Sequence, residues 1–443
     1  MNIRYTIGLL TAIGLVACSG NDEAGNGNAP DEQELTKEQM VSDVPIVFAP
    51  VEMAEMQWGV EAVETRGGSV DGADFTTPDK VGVFCLAKKK ISDEAKNIAW
   101  TRPYTSEATN KLLLWSFNEE ATIKGIGNNR GEITWSEEQQ LYYYPSTGSY
   151  AYGFAAYHPM VERKFIVSGG NSNAANLKAY IKVDGNDDVI YAVAAEPEQQ
   201  FGDAAVDGLA FSRSYYDKIR TDGLGWEGTF PKFEFHHLMS RLDFYFCFNG
   251  TPTGNIHVDK VEFDNFWCIV ELPLVSLNKN TDVMSNPITA SSTPYVLNDN
   301  SNQLGKIELD DGTLLKDQEG HESCFGHFEL REKGETPISG VKVGSTYKYN
   351  LTTEMQKVGD CILIPPVQST TSKRNIKLFV TLCDDNGNKW KNASAITIPY
   401  PSPRWEIGKR YDVKITLNAP SVSAAPRRAA STFTASKVEV IPQ

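Results

Sequence analysis

Histidine is scarce in this chain of 443 residues, six in all, and none stands at a spacing suited to a metal. The seven cysteines include no CxxC pair, which argues against zinc. GxSxG, HExxH and P-loop patterns are missing, so the sequence offers no hydrolase elbow, zinc-protease helix or phosphate cradle. Adjacent carboxylates such as Asp310-Asp311 and Glu119-Glu120 occur without a context that would set them in a cleft. Basic residues are outnumbered, 42 Lys and Arg against 57 Asp and Glu, for a net charge of −15. Nucleic acid, whose phosphates need a basic face, is therefore not an expected partner. After the N-terminus no apolar run reaches the roughly 20 residues that a membrane-spanning helix needs. Helical periodicity and internal repeats are also lacking. No catalytic, cofactor or metal site is expected, and the chain does not read as an enzyme.

What is present begins at the N-terminus. Arg4 supplies positive charge, and Tyr5 to Ala17 is an almost unbroken apolar run. It is too short to remain as a spanning helix, so residues 1–17 read as an export signal and stand outside fold reasoning. Leu15-Val16-Ala17-Cys18 resembles a bacterial lipobox, in which Cys18 takes the lipid on its sulfur and becomes the first mature residue. The alternative is an ordinary signal that happens to contain a cysteine. Residues 18–43 are polar and rich in Gly, Asn, Asp and Glu, the composition of a flexible tether. The lipid would be the only membrane contact.

The rest has the composition of folded sheet, with 18 Tyr, 20 Phe and 8 Trp. Short runs of alternating apolar and polar residues recur between turn signals. Ile46 to Ala49 is a buried-strand run, and Trp58 to Val63 a half-buried one. Val81–Leu86, Lys111–Trp115, Gly131–Trp135 and Leu141–Tyr144 follow. From Arg241, Leu242, Phe244, Phe246 and Phe248 share one face, with Arg241, Asp243, Tyr245 and Cys247 on the other. Ile376 to Leu382, Tyr411 to Leu417 and Phe433 to Ile441 complete the set. Short helices are expected only at the periphery. The Gly-rich stretch before Pro231 is the best seam. It divides the ordered chain into an N-terminal β-sandwich, 44–231, and a C-terminal one, 232–443. Cys85, Cys247 and Cys383 lie in apolar strand runs and read as buried free thiols, although six cysteines besides Cys18 leave disulfide pairings open.

Three candidate sites have bland readings beside them. His236-His237 could serve a metal or a proton transfer, but adjacent strand residues point to opposite faces, which favours a place at the domain junction. Asp184 to Asp188 is calcium-like but lacks the loop's sixth-position Gly and twelfth-position Glu, and reads as a turn. Tyr142-Tyr143-Tyr144 and Tyr215-Tyr216 could stack sugars, which would make a glycan-binding surface lipoprotein. Core packing is the alternative.

Several of these pieces together resemble Bacteroidetes fimbrillins, the type V pilins. They are the lipobox, Trp135 with Tyr144-Pro145, the strand end Phe154 to Pro159, Asp188 to Ala192, Phe235 to Leu242, and Trp405 to Tyr411 with its Gly-Lys-x-Tyr ending. The resemblance spans residues 44 to 443. It implies two tandem transthyretin-like antiparallel β-sandwich domains and a stalk, tip or anchor subunit of a surface fimbrium. It implies export as an outer-membrane lipoprotein, adhesion to a host or bacterial surface ligand, and other pilin subunits as partners. Such pilins are cut after an arginine near the first strand, and a strand from a neighbour fills the groove that opens. Arg66, before Gly67-Gly68, is the candidate cut site, against a plain surface arginine. Arg427-Arg428 is a lesser protease-prone candidate. A subunit that keeps its lipid and first strand would instead be an anchor or accessory.

Overall fold

The computed structural model describes residues 41–53, 70–71, 74–75, 79–90, 98–101, 119–127, 130–135, 142–145, 150–160, 165–167, 176–194, 211–213, 215–217, 230–267, 269–277, 284–285, 325–332, 336–338, 342–343, 346–366, 375–399, 401, 405–420 and 432–443. Cys18, the Trp58–Val63 run, Arg66, Lys111–Trp115 and Arg427-Arg428 lie outside them. Among the described residues nearly every element is a strand, as the all-β expectation requires, and one short helical turn sits near 213–217. Most pairings are antiparallel. Three are parallel: Glu234–His237 with Val51–Met53, Ser240–Phe248 with Arg410–Leu417, and Lys389–Asn392 with Thr432–Phe433. In each of the three the partners are far apart in sequence, which leaves chain enough for the crossover that parallel pairing needs.

Strands drawn from Val51 to His237 form an eight-stranded sheet. Its order is Tyr150–His158, Ile190–Val193, Glu234–His237, Val51–Met53, Arg130–Trp135, Glu119–Gly127, Asp79–Lys90 and Ile98–Thr101. Tyr150–His158 also pairs with Asp79–Lys90, from Tyr150 opposite Lys89 to Tyr157 opposite Gly82. The hydrogen-bonded circuit thus passes through seven strands and returns to its start. Closure of this kind leaves no bare strand edge within the circuit. Arg130–Trp135 shows the period-two logic plainly: Gly131, Ile133 and Trp135 are buried and the residues between them exposed.

In the C-terminal half two sheets face each other. One runs Gln356–Ile364, Ser240–Phe248, Arg410–Leu417, Ala435–Pro442. The other runs Phe325–Glu329, Ile256–Trp267, Ile376–Asp384, Lys389–Asn392, Thr432–Phe433, with Ile396–Ile398 also on Ile376–Asp384. Leu242, Phe244, Phe246 and Phe248 enter the space between, with Val258, Phe263, Leu378 and Val380, as their alternation predicts. Phe263 stacks on Phe328 at 5.0 Å between ring centres and meets Phe244 at a tilt, 4.9 Å away. A further sheet, Phe165–Val167, Asn176–Lys182, Ile269–Leu277 and Met284–Ser285, draws strands from both sides of Pro231.

Two apolar clusters result, and Lys37–Gln443 belongs to one compact unit. The clusters share strands. Phe154 and Ala156 face the first cluster while Ala155 and Tyr157 face the second, and Ile190 and Ala192 are likewise opposed to Val189 and Tyr191. A strand covered on both faces carries apolar residues throughout, which is why residues 152–158 are all buried.

Two local expectations are corrected. Ile46 to Ala49 is not a strand: the strands are Val41–Pro45 and Val51–Met53, and the run joins them. Pro45 and Pro50 bracket it, and a proline has no N–H for a ladder. Order also reaches back to Val41, inside the stretch read as tether.

Candidate functional site

The segment from Val41 to Met53 is short, local in sequence and inserted among strands that come much later. Val41–Pro45 pairs antiparallel with Tyr143–Pro145. Val51–Met53 lies between two strands, with Val51 opposite Gly131, Glu52 opposite Arg130 on one side and Glu234 opposite Glu52 on the other. It is thus one stave of the closed circuit. The connecting run is tied by its own backbone: Ile46 N–H donates to the Tyr142 carbonyl at 2.6 Å, Ala49 N–H to Pro231 at 2.9 Å, and Glu52 N–H to Phe233 at 3.1 Å.

Side chains of this segment fill the first core. Val44, Ile46 and Val51 are fully buried. Phe48 meets Trp135, Phe154 and Phe233 at ring-centre distances of 5.3, 5.5 and 5.2 Å. Trp135 Nε1 donates to the Ile46 carbonyl at 2.9 Å, a buried bond that ties the indole to the inserted segment. Burial of the three aliphatic side chains alone stabilises the seated segment by roughly 5–9 kcal/mol, at about 1.5–3 kcal/mol each. Where the segment meets solvent it is acidic. Glu52 Oε2 lies 2.8 Å from Lys232 Nζ, and Asp43 lies 4.0 Å from Arg213, which also binds Asp217 at 3.1 Å. These ion pairs are exposed and worth little individually.

The other sequence candidates resolve structurally. His236 is exposed and His237 buried, on opposite faces as expected. His237 Nδ1 donates to the Asp188 carboxylate, where the chain passes from the first cluster at Phe235 to the second at Leu238. Asp184 to Asp188 is a turn. Asp184 N–H donates to Asp187 at 2.9 Å, and Asp184 Oδ1 accepts from Asn186 N–H at 3.0 Å. Gly185 has φ of +88° and lies hard against Phe328, so both space and backbone call for glycine there. Tyr144, Tyr215 and Tyr216 are buried and in mutual contact, with ring centres 5.4 Å apart for Tyr144 and Tyr216 and 5.1 Å for Tyr215 and Tyr216. Burial raises the Tyr216 hydroxyl pKa. These rings pack the core, which removes the support for a sugar-stacking platform at those positions. Cys247, Cys361 and Cys383 are buried thiols that form no disulfide, while the Cys85 side chain lies outside the described residues. Glu120 pairs with Lys80 at the surface, 2.9 Å away.

One constellation was missed in the sequence. Asp243 is fully buried with three cations around it: Arg241 at 3.1 Å, Lys357 at 2.9 Å and Arg410 at 2.8 Å. Arg410 also reaches Asp412 at 3.3 Å and Tyr245 Oη at 3.0 Å. Burial raises the pKa of nearby Asp360, and burial followed by that carboxylate's charge raises the Cys361 thiol. The signal was available: Arg241-Leu242-Asp243 and Arg410-Tyr411-Asp412 repeat Arg-x-Asp and pair in register. The alternation set Arg241 and Asp243 on the face opposite the apolar row without saying what they meet, and that face holds a buried ion cluster. A charge-balanced cluster of this kind orients strands and offers no group poised for chemistry.

No protein-family model matches the chain. No curated protein matches it significantly. Solved structures similar to it include a fimbrial protein of Bacteroides vulgatus, 11% identical over 82% of this chain and 92% of that one, with a TM-score of 0.38. A candidate cell adhesion protein of Bacteroides uniformis is 14% identical over 89% and 96%, TM-score 0.34. The tip fimbrial protein Mfa3 of Porphyromonas gingivalis, truncated at its C-terminus, is 10% identical over 90% and 99%, TM-score 0.28. These neighbours are cell-adhesion and fimbrial proteins of Bacteroidetes, the group whose fimbrillins the sequence motifs resemble. At such scores the likeness fixes neither the strand pairing nor the function of this chain.

Proposed function

We propose that this chain is a fimbrillin-like structural subunit of a surface fimbrium, joined to its neighbours by strand exchange at the slot now filled by residues 41–53. In this reading the chain is exported as a lipoprotein through Cys18, reaches the outer membrane, and consists of two sandwich modules meeting near Pro231. Cleavage after Arg66 releases the first strand from the stalk-type subunit. A subunit that escapes cleavage keeps its lipid and serves as the anchor. The assembled fibre supports adhesion, and no catalytic role is assigned.

The observation that carries this reading is the position of Val51–Met53 in the circuit. It is a stave near the N-terminus, separated from the rest by a stretch that includes Arg66, and it alone completes the pairing between Glu234–His237 and Arg130–Trp135. Its withdrawal would leave two facing strand edges and the apolar sockets of Val44, Ile46 and Val51 open to water. Unpaired edges and wet apolar surface are relieved together by another strand, which makes the vacant slot a receptor for one.

The test is limited digestion of the purified precursor with an arginine-specific protease, followed by electrophoresis in SDS without boiling. Cleavage at Arg66 with a ladder of SDS-resistant multimers is the expected result. A clean cut that leaves only monomers overturns the reading, and an Arg66→Ala chain should give no cut at position 66 and no ladder.

A further inference from the structure

Strand exchange alone does not say which strand is accepted. Every segment able to enter the slot must offer apolar side chains where Val44, Ile46 and Val51 now sit, a demand that most buried strands meet. Discrimination has to come from the outward row. There the resident segment carries Glu52, whose carboxylate is 2.8 Å from Lys232 Nζ. Glu52 is also the direct cross-strand partner of Arg130, so the two side chains leave the sheet on the same face. Lys232 precedes the strand on one side of the slot, and Arg130 begins the strand on the other. An opposing charge stands at Glu234, the partner of Glu52 across the parallel pairing. With the resident strand gone, two cations and one carboxylate would border that outward position.

We infer that Lys232 and Arg130 form a charge-reading pair, and that the slot selects an incoming strand with a carboxylate at the outward position now held by Glu52. The partner is an extended segment of another subunit in which an acidic residue is flanked by apolar ones. A basic residue at that place meets Lys232 and Arg130 and is rejected, while a neutral one is accepted more weakly. This inference rests on the strand-exchange reading and deepens it. Charges at an exposed rim act mainly on encounter rate and on the choice between partners, and salt screens them.

The test uses the full chain with a site-specific protease sequence placed in residues 54–66, so that it is independent of Arg66. After cleavage, fluorescent peptides of residues 41–53 are added in excess and equilibrium binding is read by anisotropy at low and high salt. The wild-type peptide is expected to bind. The Glu52→Gln peptide should bind about two- to fivefold more weakly and the Glu52→Lys peptide about tenfold more weakly at low salt, with both gaps closing at high salt. A Lys232→Glu chain, altered at an exposed side chain, should reverse the order and prefer the Glu52→Lys peptide. Equal binding of all three peptides at low salt overturns the charge-reading pair and leaves strand exchange standing. Failure of every peptide to bind overturns strand exchange, and the selectivity with it.

Discussion

Ile46→Ala is the perturbation that separates a removable stave from an ordinary core residue. Ile46 is fully buried, and its carbonyl, which holds Trp135, belongs to the backbone and survives the change. Truncation of such a side chain costs about 2–5 kcal/mol. If residues 41–53 open as a unit of their own, that cost falls on the local opening equilibrium, whose constant should rise roughly 30- to 4,000-fold at about 1.4 kcal/mol per factor of ten. Besides Tyr143–Pro145, the strands uncovered by that opening are Arg130–Trp135 and Glu234–His237. Hydrogen exchange followed by mass spectrometry should therefore show faster exchange in those two strands. Ser240–Phe248, which packs in the second apolar cluster, should exchange as before. Equal acceleration in all three strands would mean that the segment opens only when the whole fold does. That result would refute the argument.

Three further outcomes test the surrounding fold. Asp243→Ala leaves Arg241, Lys357 and Arg410 around an empty buried position and should destabilise the chain by about 3–5 kcal/mol in a denaturant melt, whereas a surface change such as Glu439→Gln should cost little. Gly185→Ala should lower the melting temperature, because the new Cβ would lie 2.7 Å from the Phe328 ring and the backbone has positive φ. Phe328→Leu in the same chain should recover only part of the loss, since the backbone strain remains. Asp384 titrates below the usual carboxylate range. Burial pushes its pKa up, but hydrogen bonds from the Asn388 side chain and from the backbone of Asn388 and Asn386 outweigh it. A lowered pKa gives stability that is present above the unfolded value near 3.8 and is lost as pH falls through the folded value. Asp384→Ala should thus cost stability at pH 7 and much less at the acid end, as read by melts across that range.

Strand identity was legible at Ser240–Phe248 and Arg410–Leu417 because every second residue there is apolar and enters the core. Phe244 and Val413 lie where their alternation puts them. It was less legible between Ile46 and Ala49, where an apolar run bracketed by prolines fills a core without joining a ladder. The row of Arg241 and Asp243 lies on the face its alternation gives it, but its burial was not legible. Period-two alternation tells which residues share a face, but it does not tell whether the other face is wet. The site itself was only half visible. The resemblance pointed to a displaceable first strand, but closure of the circuit depends on Tyr150–His158 pairing with Asp79–Lys90, and the charged rim depends on Lys232 and Arg130 meeting Glu52. Those pairings join residues far apart in sequence, and no local pattern encodes them.

The most direct measurement is native mass spectrometry of multimers formed after cleavage at Arg66. Exchange requires that the subunits inside the multimer have lost residues 1–66, so their mass should equal a chain beginning at Gly67. Multimers in which every subunit still carries the cleaved N-terminal fragment would contradict the account, because the slot would then be joined to nothing but its own first strand.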